Sequence, residues 1–110
     1  MTVPEKNQKM TETFQQVSEL LAHADPNDFD SQIPPVFVSC DAEAQSIVCS
    51  FDVKEHFGIP HGMMHGGLIA AMIDCAQGST IASICGTDTR IVTVSLQISY
   101  RQPILVGHPL

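Results

Sequence analysis

Apolar positions along this chain recur twice with helical spacing and twice with a period of two, and the order of these patterns predicts the architecture. Residues 1–10 are polar and are expected to fray, whereas Phe14, Val17, Leu20, Leu21 and Ala24 recur as one stripe of a short amphipathic helix. Asp25-Pro26 stops that helix, and residues 25–35, with three prolines and three aspartates, have the composition of an irregular linker. Residues 36–40 (VFVSC) and 46–53, which place Ile47, Cys49, Phe51 and Val53 on one face, predict a β-hairpin turned by DAEAQ. KEHFGIPHGMM follows as a loop.

The chain is organised around residues 65–85, HGGLIAAMIDCAQGSTIASIC, a second predicted helix that Gly86 caps. At about 100° per residue, Leu68, Ile69, Met72, Ile73, Ala76, Thr80 and Ile84 fall on one arc, expected to lie on a sheet. The opposite arc carries Gly67, Ala70, Ala71, Asp74 and Gly78, small residues that admit a second backbone or a slender ligand. Beyond the helix, residues 91–101 (IVTVSLQISYR) alternate strictly. Val92, Val94, Leu96, Ile98 and Tyr100 share one face and Thr93, Ser95, Gln97, Ser99 and Arg101 the other, so a long strand is expected. Residues 107–110 (GHPL) have the composition of a turn leading into a further strand.

Composition narrows this picture only in places. A chain of 110 residues has room for one small domain, which gains by associating with copies of itself. The expected organisation is an N-terminal helix and linker over residues 1–35 leading into a domain over residues 36–110. A net charge of −7 argues against nucleic acid and against an anionic membrane surface as partners. Four cysteines without CxxC spacing, and an N-terminus lacking a basic segment followed by an apolar run, point to a reduced, cytoplasmic protein. Asp74, Gln77, Gly78, Ser79, Thr80 and Ser83 interrupt the central apolar stretch, so a buried helix of a soluble domain is expected there in place of a membrane span.

Asp74 is the only formal charge in residues 65–85, and a carboxylate in such a setting needs compensation. The glycine pair at the helix start leaves N–H groups at its positive end, suited to a carbonyl oxygen that gains negative charge. Seven residues separate Gly67 from Asp74, about 10 Å along a helix axis, so one carbonyl cannot meet both in one chain. If both serve one reaction, two antiparallel helices from two chains must supply them. His56, His61 and His65 lie close in sequence, but Gly62 interrupts any helix that would align the last two, and neither a metal nor a cofactor is expected. The cysteines are expected to fill the core; Cys75, though next to Asp74, lies about 100° away around the helix.

FGIPHGMMHGGLIAAMIDCAQG, followed by VTVSLQISYRQPI and then a glycine, resembles the hotdog-fold acyl-CoA thioesterases of the PaaI-like family, in the 4-hydroxybenzoyl-CoA thioesterase-like superfamily. The resemblance covers residues 36–110 and is strongest over 62–78 and 92–107. It departs from the family at Ile59, where many members have asparagine, and in stopping at Leu110, where similar proteins continue into further strands.

The resemblance implies an α+β hotdog fold, a long central helix wrapped by a curved antiparallel sheet from which the C-terminal strands are missing. It also implies an acyl-CoA thioesterase whose site sits at the interface of a homodimer or homotetramer. Gly67 would donate its N–H to the thioester oxygen with His65 steadying that loop, and Asp74 of the other subunit would act as general base or nucleophile. Thr93 would orient the water or the carboxylate, and Gly66, Gln77 and His61 would contact substrate. The alternatives are an acyl-CoA-binding module without catalysis, or an inactive remnant. No cofactor, nucleic acid or membrane enters this expectation.

Overall fold

The computed structural model describes residues 1–88 and 90–107. Its first element is helix α1, Val3–Ala22, which starts well before the predicted stripe. Thr2 caps it, its hydroxyl accepting from the Glu5 N–H at 3.2 Å, with proline in the first turn and Glu5 at the positive end. The polar residues expected to fray are held by tertiary contacts. Lys6 Nζ meets Glu43 at 3.1 Å, the Asn7 carboxamide accepts the Ala42 N–H at 2.8 Å, and Met10 is buried. Phe14, fully buried, sets its ring against Phe37 with centroids 5.9 Å apart, while Leu20 of the same predicted stripe points to solvent.

The proline-rich linker is more ordered than its composition suggests. It contains a 3-10 turn, Phe29–Gln32, and then plugs the interior with Ile33 and Pro35, both fully buried. The Ser18 hydroxyl of α1 donates to the Pro35 carbonyl, fixing the helix over the entry to the hairpin. Strands β1, Val36–Asp41, and β2, Ser46–Ser50, pair antiparallel with Phe37 opposite Cys49 and Cys40 opposite Ile47. A bulge between Phe37 and Ser39 re-aims the strand. The predicted inner face persists past the ladder, where Phe51 and Val53 enter the core.

The expected loop over residues 54–64 is instead a 3-10 turn, Glu55–Phe57, and a small hairpin of β3, Gly58–Ile59, and β4, Met63–Met64. His61 and Gly62, both at positive φ, turn it. Residues 104–107 fold back onto this hairpin: Met64 N–H donates to Ile104 at 2.7 Å, Val106 N–H to Gly62 at 3.0 Å and Gly107 N–H to Val53 at 3.0 Å.

Helix α2, Gly66–Cys85, has the predicted limits and ends at Gly86 with φ 100°. Ile69 and Met72 enter a core formed with Ile33, Phe51, Val53, Phe57 and Met64. The predicted sheet-facing arc holds only over its first half, because Ile84 is 42 % exposed. Helix α1 packs against α2, β2 touches it more lightly, and the second hairpin reaches the core through Met64. The helix is accordingly less buried than its composition predicts. By length and composition it could cross a membrane, with a mean hydropathy of 1.5 and 17 % of that window buried, yet it carries Asp74 and the buried hydroxyl of Ser79.

The largest departure from expectation is over residues 91–101. The strict alternation predicts a strand, but this segment has no ladder partner among the described residues and bends at Val94. Val92 and Val94 of the apolar face are 82 % and 94 % exposed. A strand exists only where a neighbour takes its N–H and C=O groups, and none of the described strands lies in register beside it. Side chains hold it instead: Thr93 reaches Asp74 and Tyr100 reaches Gly66, so the segment runs back along α2. The turn predicted for residues 107–110 lies outside the described residues beyond Gly107. The chain as a whole is α+β, a long helix with small antiparallel sheets.

Gly58 tests how closely the returning segment is seated. A Cβ there would stand 2.8 Å from Val106 Cγ1 and 3.2 Å and 3.3 Å from the Glu55 and Met63 carbonyl oxygens. Gly58→Ala should destabilise the fold by about 1–3 kcal/mol through overpacking, and Val106→Ala in the same chain should restore part of the loss. Denaturant titration of the single and double variants checks this; an unchanged midpoint for Gly58→Ala would refute the close seating.

Candidate active site

Asp74 sits midway along α2, half-buried, on the side away from Ile69 and Met72. Its compensation comes from outside the helix. The Thr93 hydroxyl donates to Asp74 Oδ1 at 2.5 Å, a short, charge-assisted hydrogen bond. Because Thr93 engages one carboxylate oxygen, Oδ2 remains available to a second donor. The pair opens on a cavity of about 270 Å³ between α1, the 3-10 turn at Phe29–Gln32, α2 and the extended segment. Val17 and Leu21 of α1, Asp30 of the turn, and Gly78 and Ser79 of α2 line it along with the pair.

At the N-terminus of α2 the geometry differs from the expected free amide. His65 is the N-cap, and its Nδ1 accepts the Gly67 N–H at 3.0 Å. In the neutral ring an accepting Nδ1 puts the proton on Nε2, so the imidazole presents a donor of its own at the positive end of the helix. Tyr100 covers Gly66: its hydroxyl donates to the Gly66 carbonyl at 2.7 Å, and its ring lies 3.6 Å from where a Gly66 Cβ would stand. The structure therefore brings together Asp74 with Thr93, and His65 with Gly67, as two groups on one helix. His61, on the hairpin turn, and Gln77, on α2, are both exposed and join neither group.

Residues that local patterns did not single out are Tyr100, Asp30, Val17 and Leu21. Tyr100 was one tooth of an alternating face, and Val17 and Leu21 were part of a helical stripe. Their approach to α2 depends on how distant segments pack, for which short-range periodicity carries no signal. Cys75, beside Asp74 in sequence, lies near the Ile33 carbonyl, with Sγ at 3.9 Å. Burial, reinforced by the Asp30 charge, pushes its thiol up to about 11. At neutral pH it is protonated and a poor nucleophile.

Comparison with known proteins adds the following. Residues 61–110 match the model of the thioesterase superfamily. The chain is 36 % identical over 61 residues to acyl-coenzyme A thioesterase THEM4 of Xenopus laevis, an alignment covering 56 % of this chain and 26 % of that protein. The chain thus spans about a quarter of the length of the curated relative it matches. No solved structure matches. Asp74, Thr93, His65 and Gly67 all fall inside the matched residues, whereas Val17, Leu21 and Asp30 precede them.

The thiol chemistry is directly measurable. Cys75 should be alkylated about a hundredfold more slowly than an ordinary thiol below pH 9, and its rate should climb until about pH 11. Peptide mapping after iodoacetamide treatment across that range reads this; fast modification of Cys75 at pH 7 would contradict its protonated, half-buried setting.

Proposed function

We propose that this chain, whose residues 61–110 carry thioesterase-superfamily sequence, hydrolyses an acyl-CoA thioester to a free carboxylate and CoA at sites shared between two copies. The observation that carries the reading is the Asp74 carboxylate, oriented by Thr93 at 2.5 Å and facing a cavity. This acid lies on the long helix of the α+β fold, within the residues that match the superfamily, which supports the reading.

In this mechanism Oδ2 of Asp74 takes a proton from a water molecule as its oxygen attacks the thioester carbonyl carbon. The carbonyl oxygen becomes an oxyanion. Collapse of the tetrahedral species breaks the C–S bond, and the departing thiolate receives the proton that Asp74 holds. Donors for the oxyanion lie at the start of α2, about 10 Å along the axis from Asp74, beyond reach within one chain. A second copy with its α2 antiparallel to the first would bring its His65–Gly67 turn to the cavity, completing two equivalent sites by symmetry. The thioester oxygen would there take the Gly67 N–H that His65 Nδ1 now accepts, or the imidazole N–H itself. Attack by Asp74 on the carbonyl, followed by hydrolysis of the resulting anhydride, uses the same residues. Cysteine usage supports a cytoplasmic setting.

One observation favours a second reading, an acyl-CoA-binding module that does not turn over: the Gly67 N–H is already engaged by His65.

Hydrolysis of short, aromatic and long acyl-CoA substrates tests the choice. Asp74→Asn should lower kcat by about 10²- to 10⁴-fold. Thr93→Ala, which removes a hydrogen bond to a charged group, should cost about tenfold to a hundredfold. Turnover unchanged in Asp74→Asn would sink the mechanism, while binding without turnover in the parent chain would favour the module. Light scattering should give a dimer or larger assembly, and a well-behaved monomer with full activity would remove the shared site.

A further inference from the structure

Four segments distant in sequence converge on the cavity beside Asp74, and one of them is the N-terminal helix, which lies outside the superfamily match. Val17 and Leu21 are four residues apart and so sit one above the other on the same face of α1. Both line the cavity, as do Gly78 of α2 and Ile91 of the extended segment. Gly78 adds no side chain to the space, and a Cβ built there would meet nothing within 4 Å, so the branched apolar side chains that bound the cavity are Val17 and Leu21 of α1 together with Ile91.

The direction in which a bound thioester lies follows from charge. Its carbonyl carbon must stay within one water of Asp74, so either the acyl group or the CoA arm extends into the cavity. The CoA arm ends in phosphates, and the cavity is walled by the carboxylates of Asp30 and Asp74 in a chain of net charge −7. Phosphates are repelled from such a wall. The acyl group therefore enters and the arm leaves towards solvent. A volume of about 270 Å³ exceeds the roughly 150 Å³ cavity that accommodates benzene, so a single ring or a short chain fits within the wall.

We propose, resting on the thioesterase reading above, that Val17 and Leu21 of α1 form the wall that sets the size of the acyl group. The N-terminal helix is on this view a specificity element of the site, and chain length is sensed by contact with its Val17–Leu21 face.

The test uses the full chain with non-hydrolysable 2-oxoalkyl CoA thioethers, in which a methylene separates sulfur from the carbonyl of an acetyl, butyryl, octanoyl or palmitoyl group, binding being read by calorimetry and hydrolysis of the matching thioesters in parallel. Leu21→Ala should shift the preference of octanoyl over butyryl upward by at least about tenfold, the scale at which a pocket discriminates methylene groups. Leu21→Phe should shift it the other way, which loss of folding cannot do. Leu20→Ala, one position along and 66 % exposed, should leave the ratio unchanged. Identical ratios in the parent chain and both Leu21 variants, or no binding of any thioether, would overturn the wall. A shifted binding ratio without hydrolysis of any thioester would uphold the wall and refute the hydrolytic reading.

Discussion

The structure depends on covering α2. Twenty residues with Asp74 as the only formal charge cannot stand alone in water, and the rest of the chain is disposed around that requirement. One stripe, centred on Met72 with no exposed surface, is covered by Ile33, Phe51, Val53, Phe57 and Met64. These side chains come from the linker, the end of the first hairpin, a 3-10 turn and the second hairpin. Each is an irregular or short element, and the linker is ordered because Ile33 and Pro35 are buried while local hydrogen bonds, Ile33 N–H to the Asp30 carbonyl at 3.2 Å among them, hold its 3-10 turn.

The second side of α2 is treated differently. Small residues leave room there, α1 stands across the gap, and the extended segment returns with Thr93 and Tyr100 as its two side-chain anchors. Those anchors fall at Asp74 and at Gly66, the positions at which chemistry is proposed. A hydroxyl that satisfies a carboxylate and a phenol that steadies a helix start are structural contacts first. The same contacts orient one carboxylate oxygen and fix the turn that presents the donors at the positive end of the helix. Stability and the proposed site therefore draw on the same two contacts.

The proposed chemistry also explains why two chains are invoked. The acid and the donors sit on one rigid helix, separated by about two turns, and no rotamer change closes that gap. Antiparallel pairing of two such helices closes it twice by symmetry. The exposed apolar residues on the outer part of α2 and along residues 91–101, including Ile81, Ile84, Val92 and Val94, provide surface for such an association.

Periodicity and capping determined the local elements. The limits of α2, its glycine cap, the first hairpin with its inward Phe51 and Val53, and the singularity of Asp74 were all legible, because each is fixed by neighbours a few residues away. The motif around His65, Gly66, Gly67 and Asp74 was legible for the same reason, and it led to the thioesterase resemblance that the comparison bears out. Tertiary structure decided the rest. Whether residues 1–10 fray depended on Lys6, Asn7 and Met10 finding the hairpin. Whether residues 91–101 form a strand depended on a neighbour to pair with, which alternation cannot supply. That Val17, Leu21 and Asp30 border the same cavity as Asp74 depended on the packing of α1 against α2, an arrangement set by long-range burial and written in no single stretch of the chain.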